Sequence, residues 1–273
     1  MGPREFKLFR TLVHERTGIW LRDGKQIMLA SRLSRRLRHH GLQNFADYYS
    51  YIQNHRDNGE EIGELINCVT TNKTSFFRER HHFDFLANTV VPQIQSASRP
   101  GSLGSIRIWS GACSTGEEPY SIAMTLLEAL PELLEWNVRI LATDLDSDVL
   151  ATAANGQYAA ERVKGLSDGR LRRFFTEQKD RGRSLFVVRP EVRRLVMFKQ
   201  LNLMQPLPMT GPLDVIFCRN TVIYFDKDTQ RNLFTRIAPL QRPGDLLYLG
   251  HSESLLSVST DYESIGRTTY LRR

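Results

Sequence analysis

Apolar residues recur every three or four positions through the first quarter of the chain, and in short alternating or continuous runs beyond it. Residues 4–16 carry Phe6, Phe9, Leu12 and Val13 at helical spacing, and the pattern stops at Gly18. Residues 25–40 place Leu29, Leu33 and Leu37 on one face and Arg32, Arg35, Arg36 and His39 on another, ending at Gly41. A third helix is predicted from Phe45 to about Asn54 after an Asn44 cap. A fourth runs from about Glu60 to Val69 through Ile62, Leu65, Ile66 and Val69. These four helices predict a small all-helical N-terminal domain, residues 1–71. A polar loop, Thr70 to Ser75, then leads into a predicted helix from about Phe76 to Gln95. The run SASRPGSLGS, residues 96–105, reads as a linker, so 72–105 joins two domains.

From Ile106 the period changes. Ile106-Arg107-Ile108-Trp109 alternates as a strand, glycines follow, and a helix resumes through Tyr120, Ile122, Ala123 and Leu126-Leu127. Val138–Ala142, Lys199–Leu203 and Leu213–Phe217 read as further strands, and Leu246–Leu249 and Arg267–Leu271 as closing, antiparallel ones. Strands alternating with helices predict an α/β domain over 106–273 with a mostly parallel sheet. The rhythm breaks at about 157–200. There a helical piece (Ser167 to Phe175), a charged turn (Gln178 to Arg183) and two strand-like runs (Ser184–Val188 and Val192–Phe198) suggest a small antiparallel β insertion.

Composition narrows the class only modestly. Hydrophobic content of 41% and charged content of 25% are ordinary for a globular protein. No apolar run reaches the roughly 20 residues that span a bilayer, and Met1 to Phe6 does not read as a signal peptide. The three cysteines are far apart, as befits free thiols in a reducing cytosol. His39-His40 and His81-His82 are adjacent pairs that split across a helix, so no metal site is expected. Charge is more informative. Residues 1–56 hold eleven Lys/Arg against four acids, a surplus that equals the whole-chain net charge of +7. That basic excess should face an acidic or polyanionic partner.

The candidate chemistry lies in GACSTGEEPYSIA, residues 111–123, between strand and helix. In a βαβ unit a ligand sits beyond the carboxyl end of the strand. Gly111 is expected to tighten the turn and Gly116 to let backbone approach the ligand. Glu117 and Glu118 open the helix where a phosphate-binding turn keeps its N-terminus free for an anion. From the turn alone, simple complementation of the helix dipole explains them as well. A second acid favours a ligand: Asp144, at the end of Val138–Ala142, stands where such sheets hold ribose hydroxyls. A ribose acid without a phosphate cradle suits a nucleoside such as S-adenosylmethionine.

GACSTGEEPYSIA, with ATDLD downstream, NKTSFFRE upstream, and FCRNTVIYFD and GHSES further on, resembles the CheR-type chemotaxis-receptor methyltransferases. The five blocks occur in order over most of the chain. The resemblance implies a class I S-adenosylmethionine-dependent methyltransferase fold with a small β-subdomain and a helical N-terminal domain. It also implies methyl transfer to glutamate side chains of receptor helices, with S-adenosylhomocysteine as product. Carried over, Asn72, Thr74 and Arg78 would meet the cofactor, with Gly111, Glu118, Asp144, Asn202, Leu203, Arg219 and Asn220. Arg78, Arg219 and Tyr224 would orient the substrate carboxylate. Arg32, Arg35 and Arg36 would face the receptor, and the β-subdomain would offer a dock for a receptor tail peptide. His251 is read as a satisfied structural histidine. A cytoplasmic monomer is expected. A nucleic-acid methyltransferase is disfavoured by the missing D/N-P-P-Y after Phe217, and a non-catalytic cofactor-binding module by the intact Glu118, Asp144 and Arg219.

Overall fold

The computed structural model describes residues 1–55, 59–97, 104–130, 136–180 and 182–273. Helices α1 (Pro3–Thr17), α2 (Gln26–His39), α3 (Phe45–Asn54) and α4 (Glu60–Val69) form the N-terminal bundle. Their periodic residues, among them Phe9, Leu12, Leu29, Leu33, Ile52 and Leu65, make one buried cluster. Gly18, in the left-handed region at φ 72°, closes α1, and the Asn44 side chain accepts from the Asp47 amide to cap α3.

A charged knot sits inside this bundle. Glu61 is buried and accepts from the Tyr48 hydroxyl at 2.6 Å, from Arg36 Nε at 3.0 Å, and pairs with His40 Nε2 at 2.8 Å. Arg36 Nη1 also lies 3.1 Å from Glu64. With its side chain only 12% exposed, Arg36 belongs to the core and not to the basic face expected of it. Arg32 donates to the carbonyls of Val69 and Thr70 at 2.8 Å each, capping the end of α4. Arg35 alone of the three is fully on the surface. The charge expectation narrows likewise: over residues 1–71, which include Asp57, Glu60, Glu61 and Glu64, the surplus is three, not seven.

The expected helix from Phe76 begins only at α5 (His81–Phe85), because Phe77 and Glu79 take left-handed φ of 53° and 58° and break the turn before it. A π-helical turn, Leu86–Val90, passes into α6 (Val91–Ala97). Most of the expected linker, residues 98–103, lies outside the described residues. The second domain then runs β1 (Ser105–Gly111), α7 (Glu117–Ala129), β2 (Asn137–Asp144), α8 (Ser147–Asn155), β3 (Gln157–Ala159), α9 (Ala160–Val163) and α10 (Asp168–Phe174). It continues with β4 (Phe175–Asp180), β5 (Arg183–Val188), α11 (Pro190–Arg193), β6 (Val196–Gln200) and β7 (Val215–Phe217). It ends with α12 (Lys227–Ile237), β8 (Leu246–Tyr248), β9 (Tyr262–Gly266) and β10 (Thr269–Arg272).

The main sheet has the order β6-β2-β1-β7-β8-β10-β9, parallel from β6 to β8, with β10 antiparallel to both neighbours. Alternation along β1 sends Ile106 and Ile108 to one face and Trp109 to the other, where separate apolar layers cover them. Three expectations change. Leu246–Leu249 is parallel, since α12 supplies the crossover from β7. Tyr262–Gly266 is an additional strand. Val192–Phe198 leaves the insertion: its end is β6, hydrogen-bonded to β2. The insertion is instead the antiparallel sheet β3-β5-β4; of the expected charged turn, Gln178–Asp180 continue β4 and Arg183 begins β5, while residue 181 lies outside the described residues.

The bundle docks on the carboxyl edge of the sheet. Ile19 bridges Phe225, the Trp20 amide donates to the Tyr224 carbonyl at 2.8 Å, and Asn202 Nδ2 donates to the Arg16 carbonyl at 2.7 Å. Removing one partner of a buried ion pair typically costs about 3–5 kcal/mol. Glu61→Ala leaves Arg36 with Glu64 alone and takes the acceptor from Tyr48 and His40, so it should lower the unfolding free energy by up to that amount in urea titration, whereas Arg35→Ala should leave it unchanged within error.

Candidate functional site

The turns after β1, β2, β6 and β7, together with residues 70–78, line one cleft that is open to solvent at its mouth. Asn72, Thr74, Arg78, Glu118, Asp144, Asn202, Leu203, Arg219, Asn220 and Tyr224 all line it, brought together from five stretches of sequence. Gly111 does not. It is the last residue of β1, and the left-handed positions of the turn are Ala112, Ser114 and Gly116 at φ 59°, 51° and 93°. Gly116 is needed, but for packing: a Cβ there would stand 2.8 Å from the Ala153 methyl and 3.0 Å from the Tyr158 hydroxyl, not against a ligand.

Asp144 sits at the end of β2, nearly buried. Its Oδ2 accepts from the Ser114 amide at 2.7 Å and its Oδ1 from the Asp146 amide at 3.0 Å. Burial pushes its carboxyl above the usual range, and the backbone donors oppose that shift. Glu118 accepts from the Ser110 hydroxyl at 2.7 Å and lies 3.3 Å from Arg219 Nη1; burial raises it too. Asp146 has a different task. One oxygen caps α8 at the Asp148 amide; the other accepts from Thr70 Oγ1 and from Asn72 Nδ2, both at 2.7 Å. The Ser114 hydroxyl donates to the Asn72 carbonyl at 3.1 Å. The interdomain loop is thus tied to both acid-bearing turns, and the Asn72 amide is engaged in that tie.

Arg219 lies beneath the cleft with its side chain 1% exposed, over the rings of Phe83 and Phe217. Its Nη2 donates to the Arg78 carbonyl and stands 3.5 Å from Glu79 Oε2. Its Nε and Nη1 are buried without a hydrogen-bond partner. Glu79 also accepts from Asn220 Nδ2 at 3.1 Å and pairs with His251 Nδ1 at 3.0 Å. Burial alone would raise the Glu79 carboxyl, but His251, Arg219 and Asn220 outweigh it and hold it at about 2. His251 is therefore partnered as expected, yet its side chain is 67% exposed. Glu253 gathers the amides of Asn220, Thr221, Ile223 and Gly250 at 2.6–3.2 Å, fixing the loop that presents Arg219 and Tyr224. Gly250 is obligatory there, because a Cβ would meet Asn220 Nδ2 at 2.2 Å. Asp146, Glu79 and Glu253 lay inside the sequence blocks ATDLD, SFFRE and GHSES, but only the fold shows that they bind backbone and side chains and not a ligand.

This donor set fits a cationic nucleoside carrying an amino-acid tail. Asp144 keeps lone pairs free for hydroxyl donors, whereas the Asn202 amide is already engaged, donating to the Arg16 carbonyl and accepting from the Met204 amide, and only Nε of Arg219 is without any partner. Glu117 and Glu118 occupy the helix start that a phosphate would need. Among the described residues no cluster of three His, Cys, Asp or Glu is placed to hold a metal.

Two family models match this architecture end to end. Residues 4–70 match the CheR methyltransferase all-alpha domain, and residues 72–271 the CheR methyltransferase S-adenosylmethionine-binding domain. The chain belongs to the CheR methyltransferase family. It is 43% identical to chemotaxis protein methyltransferase 2 of Pseudomonas aeruginosa over 97% of this chain and 92% of that one. It is 40% identical to the chemotaxis protein methyltransferase of Escherichia coli over 99% of this chain and 91% of that one. A probable chemotaxis protein methyltransferase of Rhizobium etli shares 40% identity, covering 95% and 96%. As a CheR methyltransferase the chain uses S-adenosylmethionine.

A hydrogen bond to a charged group is worth about 1.5–3 kcal/mol. Asp144→Ala should therefore weaken S-adenosylhomocysteine by roughly ten- to a hundred-fold in titration calorimetry. An unchanged dissociation constant would remove Asp144 from the ribose.

Proposed function

We propose that this CheR methyltransferase transfers the methyl group of S-adenosylmethionine to glutamate side chains of chemotaxis receptors, leaving glutamate methyl esters and S-adenosylhomocysteine. The names of its relatives support the receptor. The observation that carries the glutamate reading is the buried Arg219, whose Nε has no partner and whose Nη1 meets only Glu118, as an ion pair without a hydrogen bond, in the same cleft as Arg78 and Tyr224.

The sulfonium of the cofactor supplies an electrophile that needs no further activation. Glutamate, with a reference pKa of about 4.3, arrives already ionised at neutral pH, so no residue has to remove a proton. The protein's work is to align the carboxylate, where positioning can be worth roughly 7–11 kcal/mol. Arg78, about one-third exposed at the cleft and braced by its bond to the Lys73 carbonyl, holds one carboxylate oxygen as the group enters. Arg219 supplies fixed positive charge below it, and the Tyr224 hydroxyl donates to the second oxygen. Guanidinium stays charged while doing this, so it orients the nucleophile without protonating it.

Arg35, with the guanidinium of Arg32 beside it at the end of α4, presents the basic edge for acidic receptor helices; Arg36 has no part in it. The β3-β5-β4 sheet is the natural dock for a receptor tail peptide, because β3 and β4 are both edge strands. The protein works as a cytoplasmic monomer at its membrane-bound substrate. A nucleic-acid substrate is not favoured, since Cys218-Arg219-Asn220 follows β7 where D/N-P-P-Y would stand.

Base-labile methyl incorporation into a receptor fraction, and none into nucleic acid, is the expected outcome of radiolabel transfer; label in nucleic acid alone would overturn the proposal. The rate should be nearly flat between about pH 6 and 8, because neither glutamate nor arginine changes charge there. Arg219→Lys, which keeps the charge but loses the planar fork, should cost nearly as much rate as Arg219→Ala while retaining cofactor binding. A bell-shaped profile centred near neutrality would instead implicate His251, and full activity in Arg219→Lys would show that a point charge suffices.

A further inference from the structure

One buried acid has no part in the chemistry above. Glu117, at the first position of α7, has a side chain that is 0% exposed, and it does not line the cleft. Its cation comes from the inserted subdomain. Arg162 of α9 pairs with Glu117 Oε1 through Nη2, and the same nitrogen donates to Thr115 Oγ1 at 2.6 Å. Thr115 Oγ1 in turn donates to Glu117 Oε2 at 2.7 Å, closing a three-membered ring of bonds. A second contact comes from β3: the Tyr158 hydroxyl donates to the Thr115 carbonyl at 2.7 Å. The tightness of Gly116 against Ala153 and Tyr158 leaves this segment no slack.

Thr115 adjoins Ser114, and Ser114 is where the turn meets the cofactor cleft. The Ser114 amide holds Asp144 and its hydroxyl holds Asn72. A continuous line of short bonds therefore runs from Arg162 and Tyr158, in the insertion, to the acid proposed for the ribose. We propose that Arg162 is a positioning residue for S-adenosylmethionine, and that the inserted subdomain sets cofactor affinity by clamping the Thr115–Glu117 turn. This goes beyond methyl transfer itself but rests on the cofactor assignment of the cleft.

Binding linkage is reciprocal, and coupling between two sites commonly amounts to about 5- to 150-fold. Two measurements test the clamp with S-adenosylhomocysteine as probe. In the unmodified protein, hydrogen exchange of the amides of residues 157–163 should slow severalfold when the probe binds, although none of them lines the cleft. In Arg162→Met/Glu117→Gln, which removes the cation and the buried charge together, the dissociation constant for the probe should rise about ten-fold. Arg162→Lys should recover most of that loss. The KM for S-adenosylmethionine should rise in the double variant with the KM for the methyl acceptor unchanged, a split that general destabilisation would not produce. Probe binding that leaves exchange of residues 157–163 untouched overturns the clamp, whether or not the double variant folds. So does a folded double variant with the original dissociation constant. A protein that fails to bind the probe at all overturns the cofactor assignment, and the clamp with it.

Discussion

The position of Arg219 constrains everything around the cleft. A guanidinium cannot shed its proton, so burying one obliges the surrounding chain to supply negative charge and lone pairs. Here three groups from two segments answer: Glu79 and the Arg78 carbonyl from the interdomain loop, and Glu118 from the first turn of α7. Phe83 and Phe217 then seal it from below. The left-handed backbone at Glu79 and Asn220 follows from the same demand, since both residues must turn their side chains inward toward one another. Glu253 completes the arrangement from behind by collecting the free amides of the loop that carries Arg219.

Division of labour among the acids explains how one cleft holds so many carboxylates. Asp144 and Glu118 face the cavity with lone pairs to spare. Glu79, Asp146, Glu253 and Glu117 are turned into the protein and spent on cations and amides. All are carboxylates, and the neighbours Glu117 and Glu118, or Asp144 and Asp146, differ only in which side of a tight turn each occupies.

That is also where reading the sequence succeeds and stops. The bundle was legible to the residue in α3 and α4, because Asn44 caps and the apolar spacing of Ile62, Leu65, Ile66 and Val69 are local signals. The strand–turn–helix around residues 106–123 was legible for the same reason. Partners distant in the chain were not. Nothing local tells that Arg36 meets Glu61 across the bundle, so it looked like one more surface arginine beside Arg35. Val192–Phe198 is strand-like by composition, but the choice between the insertion and the main sheet depends on pairing with β2, a long-range bond. Gly111 drew attention as a glycine, whereas Ala112 and Ser114 bend the turn against their own preference because Asp144 and Asn72 hold Ser114.

The seam between the two domains falls at Thr70–Asn72, where one family motif ends and the next begins. Structurally it is no seam. Thr70 and Asn72 share one oxygen of Asp146, and Arg32 grips the Val69 and Thr70 carbonyls just upstream. A chimera that joins the helical domain of one relative to the catalytic domain of another at this point would divide that cluster between two parents. The helical domain can therefore be exchanged cleanly only if the Arg32 position, residues 69–72 and Asp146 travel as one unit, although they are scattered over more than a hundred residues of chain.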